Sequence, residues 1–265
     1  MSASTKKLTI PIQKLIPSII TLFALCLGVT SIRYALDSKF NTATALIVIA
    51  AFLDGIDGRI ARLLNSTSPF GAQLDSLADM CNFGVAPAIT IYLWSLKEIP
   101  YKGIGWTIVL FYITCSALRL ARFNMQMSNK GNNKKIKESS SKFFMGLPMP
   151  VAAGLLLIPL MCTFELLKSI TLLFSCWYMA FYMVAIGFLM ISKMPVYSAK
   201  KVNIPKEKIN VILLIIGMIF AGITLEPWIL LPIIGFLYIL LIPVGVYFFY
   251  KKKELNDAKS VKNIY

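Results

Sequence analysis

Long apolar runs constrain this chain more than any other feature. Eight of them lie near residues 15–35, 42–63, 72–95, 104–124, 144–165, 169–192, 209–225 and 228–250. A helix of about 20 residues crosses about 30 Å of hydrocarbon, so runs of this length read as spanning helices. Breakers separate them: Pro69 and Gly71, Pro100 and Gly103, Gly131 with its asparagine neighbours, Pro195, Pro205, and the pair Glu226 and Pro227. The expectation is an all-α polytopic membrane protein with about eight transmembrane helices in one domain over 15–250. Residues 1–14 would form a cytoplasmic N-terminal segment and 251–265 a basic cytoplasmic tail. Helices seven and eight share so short a turn that an antiparallel hairpin is expected. Lys6, Lys7 and Lys14 precede the first run as in a signal peptide, but that run is long and lacks a small-residue cleavage site, so it reads as a retained helix.

Composition agrees. The chain is 57% hydrophobic and 15% charged, against about 45–50% and about 25% in soluble domains. The net charge of +15 would suggest nucleic acid in a soluble protein. Here the basic residues lie between the apolar runs. With eight spans and both ends cytoplasmic, 22 Lys and Arg fall on one side and 5 on the other. That is the positive-inside pattern, and anionic headgroups account for it better than nucleic acid does. Lys130, Lys134, Lys135 and Lys137 read as a solvated or headgroup-facing loop. Histidine is absent, which removes the commonest general base and transition-metal ligand. The five cysteines sit in apolar runs without a CxxC pair and read as small buried hydrophobes.

Four acidic residues lie well inside the apolar pattern: Asp54, Asp57, Asp75 and Asp79. An intramembrane carboxylate costs a few kcal/mol or more, so it needs a partner or a polar cavity. Asp54 and Asp57 are three apart and share a helix face, and Asp75 and Asp79 are four apart and share another. The stretch from Asn65 to Pro69 reads as a turn, which makes the two helices antiparallel neighbours with both pairs facing one cavity. Four unpaired carboxylates would repel, and one or two divalent cations would neutralise them. Oxygen ligands without His or Cys point to Mg²⁺ or Mn²⁺, with Ca²⁺ less favoured. Gly55, Gly58, Ala61, Gly71 and Ala78 leave room beside the backbones. Small residues also favour tight helix packing, so a slot for a flat base and diphosphate competes with plain packing. Arg62 stands next to the cluster and suits phosphate oxygens.

The segment DGIDGRIARLLNSTSPFGAQLDSLAD, residues 54–79, resembles the signature of the CDP-alcohol phosphatidyltransferase family. Asp54, Asp57, Gly58, Ala61, Arg62, Gly71, Asp75 and Asp79 fill its fixed positions at the right spacing. Pro17 and Thr21 look like the family's entry to helix one, where Ser18 replaces the usual Asn. ALRLARFN at 117–124, KFFMGLPMPVAAG at 142–154 and MISKMPVYSAKK at 190–201 are most similar to the membrane-embedded branch that uses serine.

The resemblance implies a six-helix core plus a C-terminal hairpin. It implies transfer of a phosphatidyl group from CDP-diacylglycerol to the hydroxyl of L-serine, with release of CMP. Asp54, Asp57 and Asp75 would hold metal, Asp79 would complete a second metal site and act as base, and two ions are expected. Thr21, Gly58, Ala61, Arg62 and Gly71 would meet the CDP-lipid. Arg119, Arg122 and Lys142 would meet phosphate or the acceptor's carboxylate, although positive-inside anchoring also accounts for them. A homodimer among membrane lipids is expected, in a bacterial inner membrane, with the site facing the cytoplasm. A sister enzyme using glycerol 3-phosphate or an inositol derivative remains an alternative, and a divalent-metal transporter a remote one.

Overall fold

The structure is a computed structural model, and it describes residues 15–64, 66, 68–132, 143–165, 175–192, 195–197 and 209–241. Its helices are α1 (Ile16–Leu36), α2 (Phe40–Leu63), α3 (Pro69–Asp79), α4 (Ala86–Trp94), α5 (Lys102–Asn132), α6 (Met149–Phe164), α7 (Cys176–Ile191), α8 (Ile209–Leu225) and α9 (Pro227–Leu241). A π-helical turn, Met80–Val85, joins α3 to α4 into one interrupted rod. The strands β1 (Phe143–Met145) and β2 (Pro195–Tyr197) pair antiparallel, with Phe144 opposite Val196. The chain is thus an all-α polytopic membrane protein with one small ribbon.

The α1–α2 hairpin explains how the acidic residues reach the interior. The buried face of α1 is Pro17, Thr21, Ala24, Gly28, Ser31 and Ala35, a stripe of small residues spaced three or four apart. It packs on α2, whose buried residues are Ala43, Thr44, Ile47, Ala50 and Asp57. Small side chains let membrane helices approach closely, and van der Waals contact between the backbones then holds them. Residues 43, 47, 50, 54 and 57 share one face of α2. The packing stripe therefore delivers Asp57 against Thr21.

α6 is buried almost all round, including Leu155, Leu156, Leu157, Ile158, Leu160 and Met161. A helix apolar on every side belongs at the centre of a bundle. Met149, at its first turn, is fully buried in this core. Pro148 and Pro150 mark where the helix begins, and the residues just before it form β1 instead. α9 packs on the core through Trp228, Leu231, Tyr238 and Ile239, and meets α6 where Gly235 faces Ile158 and Trp228 lies edge-on to Phe164 at 5.0 Å. α8 turns back on α9 across Glu226, whose N–H reaches Gly222 O at 2.8 Å. α8 exposes Leu213, Leu214, Met218 and Phe220 outward, a surface suited to lipid tails.

The third rod departs from the single helix that the apolar pattern predicts over 72–95. Widening to π geometry at Met80–Val85 displaces backbone hydrogen bonds, and the buried tyrosine Tyr112 of α5 donates to Phe83 O at 3.2 Å. On the opposite side Asn82, only 1% exposed, fills the place that a side chain at Gly28 would take. Hydropathy is blind to this turn, because an α and a π segment need the same apolar composition.

Candidate active site

The acidic cluster is built where α2 and α3 meet α1. Ser68 opens α3 as its N-cap, accepting from Gly71 N–H at 3.0 Å. A side chain at Gly71 would stand 3.2 Å from Ser68 Oγ, so glycine here leaves room for the cap hydroxyl. Asp75 and Asp79 follow on the same helix, facing α2.

Ligand oxygens of Asp54, Asp57 and Asp75 all lie within 4.8 Å of one another. Three carboxylates so close repel strongly unless a cation sits among them. All the donors are hard oxygens, which suits Mg²⁺, Mn²⁺ or Ca²⁺ and not softer metals. The residues present therefore fit a divalent ion. Asp79 stands beside Asp54 as a hydrogen-bond neighbour, and its Oδ1 is buried with no partner among the described residues. That orphaned oxygen is a further acceptor on a residue beside the triad.

Thr21 holds one of the candidate ligands, Asp57. Its hydroxyl lies 2.6 Å from Asp57 Oδ2 and 3.0 Å from Pro17 O. One proton serves one acceptor, and the shorter, charge-assisted contact to the carboxylate takes it. Thr21 thus touches Asp57 rather than standing free in the cavity.

The glycines divide into two kinds. A Cβ added at Gly55 or Gly58 would meet nothing within 4 Å. These glycines fill no helix–helix contact here, and they leave open space beside Asp54 and Asp57. Arg62, exposed, folds back to donate from Nε to Gly58 O at 2.9 Å, which holds its guanidinium near Gly58. Ala61 is half-buried and Ala78 is buried.

α5 runs antiparallel to the interrupted rod, Tyr112 meeting Phe83 and Asn124 meeting Ser76. Arg119 is half-buried and lies in electrostatic reach of Asp79, and its Nε is buried without a partner among the described residues. Arg122 is turned away: it donates from Nη1 to Ile191 O at 3.0 Å and closes the end of α7. Gly146, at φ 82°, packs against the same helix end, where an added Cβ would stand 2.7 Å from Met190 O. Lys142 lies outside the described residues. Asn124 of α5 and Ser76 of α3 hydrogen-bond to each other one turn from Asp79, a pair that the spacing of charged residues alone does not single out. The amide within the stretch ALRLARFN was the available signal.

Known proteins share this arrangement of sequence. The CDP-alcohol phosphatidyltransferase family matches residues 14–180. The chain is 35% identical over 234 residues to CDP-diacylglycerol–serine O-phosphatidyltransferase of Mycobacterium leprae, covering 88% of this chain and 75% of that one. It is 32% identical over 209 residues to the protein of that name from Helicobacter pylori, covering 78% and 82%. The protein of that name from Saccharomyces cerevisiae is 36% identical over 132 residues, or 49% of this chain and 46% of that one. With three of the signature aspartates gathered within 4.8 Å and a family match over more than half its length, the chain belongs to the CDP-alcohol phosphatidyltransferase family.

Proposed function

We propose that this protein makes phosphatidylserine, transferring the phosphatidyl group of CDP-diacylglycerol to the hydroxyl of L-serine and releasing CMP. The observation that carries the reading is the acidic triad of Asp54, Asp57 and Asp75, with open space beside it at Gly55 and Gly58. The names of the relatives from M. leprae and H. pylori support serine as the acceptor.

In this reading Asp54, Asp57 and Asp75 hold a divalent ion, Mg²⁺ or Mn²⁺, and Asp79 completes the site for a second. When bound, the metal neutralises the diphosphate and stabilises the departing CMP. The slot at Gly58 and Ala61, with Arg62 along it, takes the cytidine diphosphate. Thr21 holds Asp57 in place, and Gly71 stands in the first turn of α3 beside the cap hydroxyl of Ser68. Asp79 takes the proton from the serine hydroxyl as its oxygen bonds to the phosphatidyl phosphorus and the bridging P–O bond breaks. With no histidine in the chain, a carboxylate is the base available. The guanidinium of Arg119 binds the serine carboxylate, and Arg122 braces α5 against α7 behind it. The cavity opens to the cytoplasm, on the side that the basic loops mark, so serine and nucleotide arrive from water and the lipid tails enter sideways. The active form is a homodimer.

The test is an acceptor panel. Purified protein is incubated with CDP-diacylglycerol, Mg²⁺ or Mn²⁺, and L-serine, glycerol 3-phosphate or inositol in turn, and CMP release is followed. The reading predicts release with serine. Release with glycerol 3-phosphate and none with serine would replace it by a sister activity.

A further inference from the structure

Resting on the reading of the aspartates as metal ligands and base, we propose that the π turn Met80–Val85 aims Asp75 and Asp79 at α2, and that Tyr112 and Asn82 are the positioning residues that hold the turn. The turn follows Asp79 directly and joins α3 to α4. Of α3 only Ala78 is buried, whereas α4 buries Ala86, Pro87, Ala88, Thr90 and Ile91. The orientation of the acidic pair is therefore inherited from α4, through the turn.

Helical phase gives the turn its purpose. An α-helix advances about 100° per residue. Continued unbroken from α4, it would carry Asp75 and Asp79 to about 90° round the rod from the middle of the face that α4 buries. A π turn takes up one extra residue, which swings everything before it by about 100°. Asp75 and Asp79 then fall in line with Pro87 and Ile91, on the side that α4 presents to the bundle. Asp75 so reaches Asp54 and Asp57, with ligand oxygens within 4.8 Å of one another.

Two contacts hold the turn in this form. Pro87 has no N–H, so Phe83 O, four residues earlier, has no α-helical donor. Tyr112, fully buried on α5, donates its hydroxyl to that oxygen at 3.2 Å. The bond satisfies the carbonyl without requiring α geometry. Asn82, 1% exposed, is keyed into α1: a Cβ at Gly28 would stand 2.8 Å from its Cγ. Its Oδ1 has no hydrogen-bond partner among the described residues, so fit rather than bonding places it there. The tyrosine remedy recurs on α6, where Pro159 leaves Leu155 O without a donor and Tyr182 of α7 supplies one at 2.7 Å. α6 and α7 carry none of the four aspartates.

The experiment measures Mn²⁺ binding to the full-length protein with CDP-diacylglycerol and no serine, from the EPR signal of the free ion, and separately kcat for CMP release. Tyr112→Phe should weaken Mn²⁺ binding about tenfold, as Asp75 leaves the triad. It should lower kcat by about tenfold or more, as Asp79 leaves the serine hydroxyl. Tyr182→Phe is the matched control: it removes the same kind of bond at Pro159 and should lower Tm while leaving Mn²⁺ affinity and kcat as in wild type. Adding Pro87→Ala to Tyr112→Phe puts an N–H at residue 87, which meets Phe83 O only if the turn tightens to α geometry. Tm should then recover and Mn²⁺ affinity should not. Asn82→Ala removes the key at Gly28 and should weaken Mn²⁺ binding in the same direction; it carries the test should Tyr112→Phe fail to fold. Recovery of both Tm and affinity in the double variant would overturn the assignment. So would equal losses of affinity in Tyr112→Phe and Tyr182→Phe, or wild-type affinity in both Tyr112→Phe and Asn82→Ala. A wild-type protein that leaves the free Mn²⁺ signal unchanged would instead overturn the metal reading itself, and this inference with it.

Discussion

Thr21 donates its hydroxyl proton to Asp57 Oδ2 over 2.6 Å, linking the first turns of α1 to the acidic face of α2. Thr21 itself is buried, and it lies on the same stripe of small residues that packs the two helices. The contact that aims a proposed metal ligand is therefore part of the helix packing.

Thr21→Val keeps the shape of the side chain and removes the proton donor. Partners of this kind behind a metal ligand are worth about 10- to 100-fold in metal affinity. The Mn²⁺ concentration for half-maximal CMP release should rise by about tenfold or more, with turnover at saturating Mn²⁺ largely kept. Thr21→Ser should restore the wild-type titration. An unchanged metal dependence in Thr21→Val would remove this role.

Gly28 and Gly58 should respond oppositely to alanine. At Gly28 the new Cβ falls on the Asn82 side chain, so α1 and the π turn must separate. Overpacking of this sort costs about 1–3 kcal/mol, which thermal unfolding in detergent should register as a drop of several degrees. At Gly58 a Cβ meets nothing within 4 Å, and Tm should hold. Gly58→Ala should instead raise the KM for CDP-diacylglycerol, because the slot it narrows is the proposed nucleotide site. A lower Tm with an unchanged KM at Gly58 would mean that the slot is packing space.

Tyr112→Phe deletes the hydroxyl that meets the Phe83 carbonyl in the π turn. A buried acceptor left without its donor costs about 1–3 kcal/mol. The expected result is a lower Tm together with reduced kcat, since the π turn begins immediately after Asp79. The KM for serine should change less than kcat. A variant with wild-type stability would show that another donor satisfies the carbonyl.

Much of this was legible from spacing. Asp54, Asp57, Asp75 and Asp79 sit at intervals that put each pair on one helix face, and Gly58 and Gly71 stand at the signature positions between them. The apolar runs located the helices because backbone burial in lipid demands long regular segments. The π turn was not legible: Met80–Val85 is as apolar as its neighbours, and only the Tyr112 hydroxyl and the Asn82–Gly28 contact reveal it. The β1–β2 ribbon was hidden for a related reason, since Phe143–Met145 continues an apolar run and pairs with a distant segment. Arg122 and Arg119 look alike in sequence, three residues apart on α5, yet one grips the end of α7 and the other lies near Asp79. Asn124 carries no charge and so drew no attention within its motif.

Chelation should separate the enzyme from a merely structural acidic cluster. EDTA should abolish CMP release, and added Mg²⁺ or Mn²⁺ should restore it, because the triad offers only carboxylate oxygens. Full activity in excess EDTA would contradict a metal held by these residues.

The most direct test is the rate of CMP release by Asp75→Asn and Asp79→Asn at saturating CDP-diacylglycerol, serine and Mn²⁺. Each amide keeps the size of the side chain and removes its charge, and the rate of each should fall by about 100-fold or more. Wild-type rates in both variants would contradict the claim that these carboxylates carry out the chemistry.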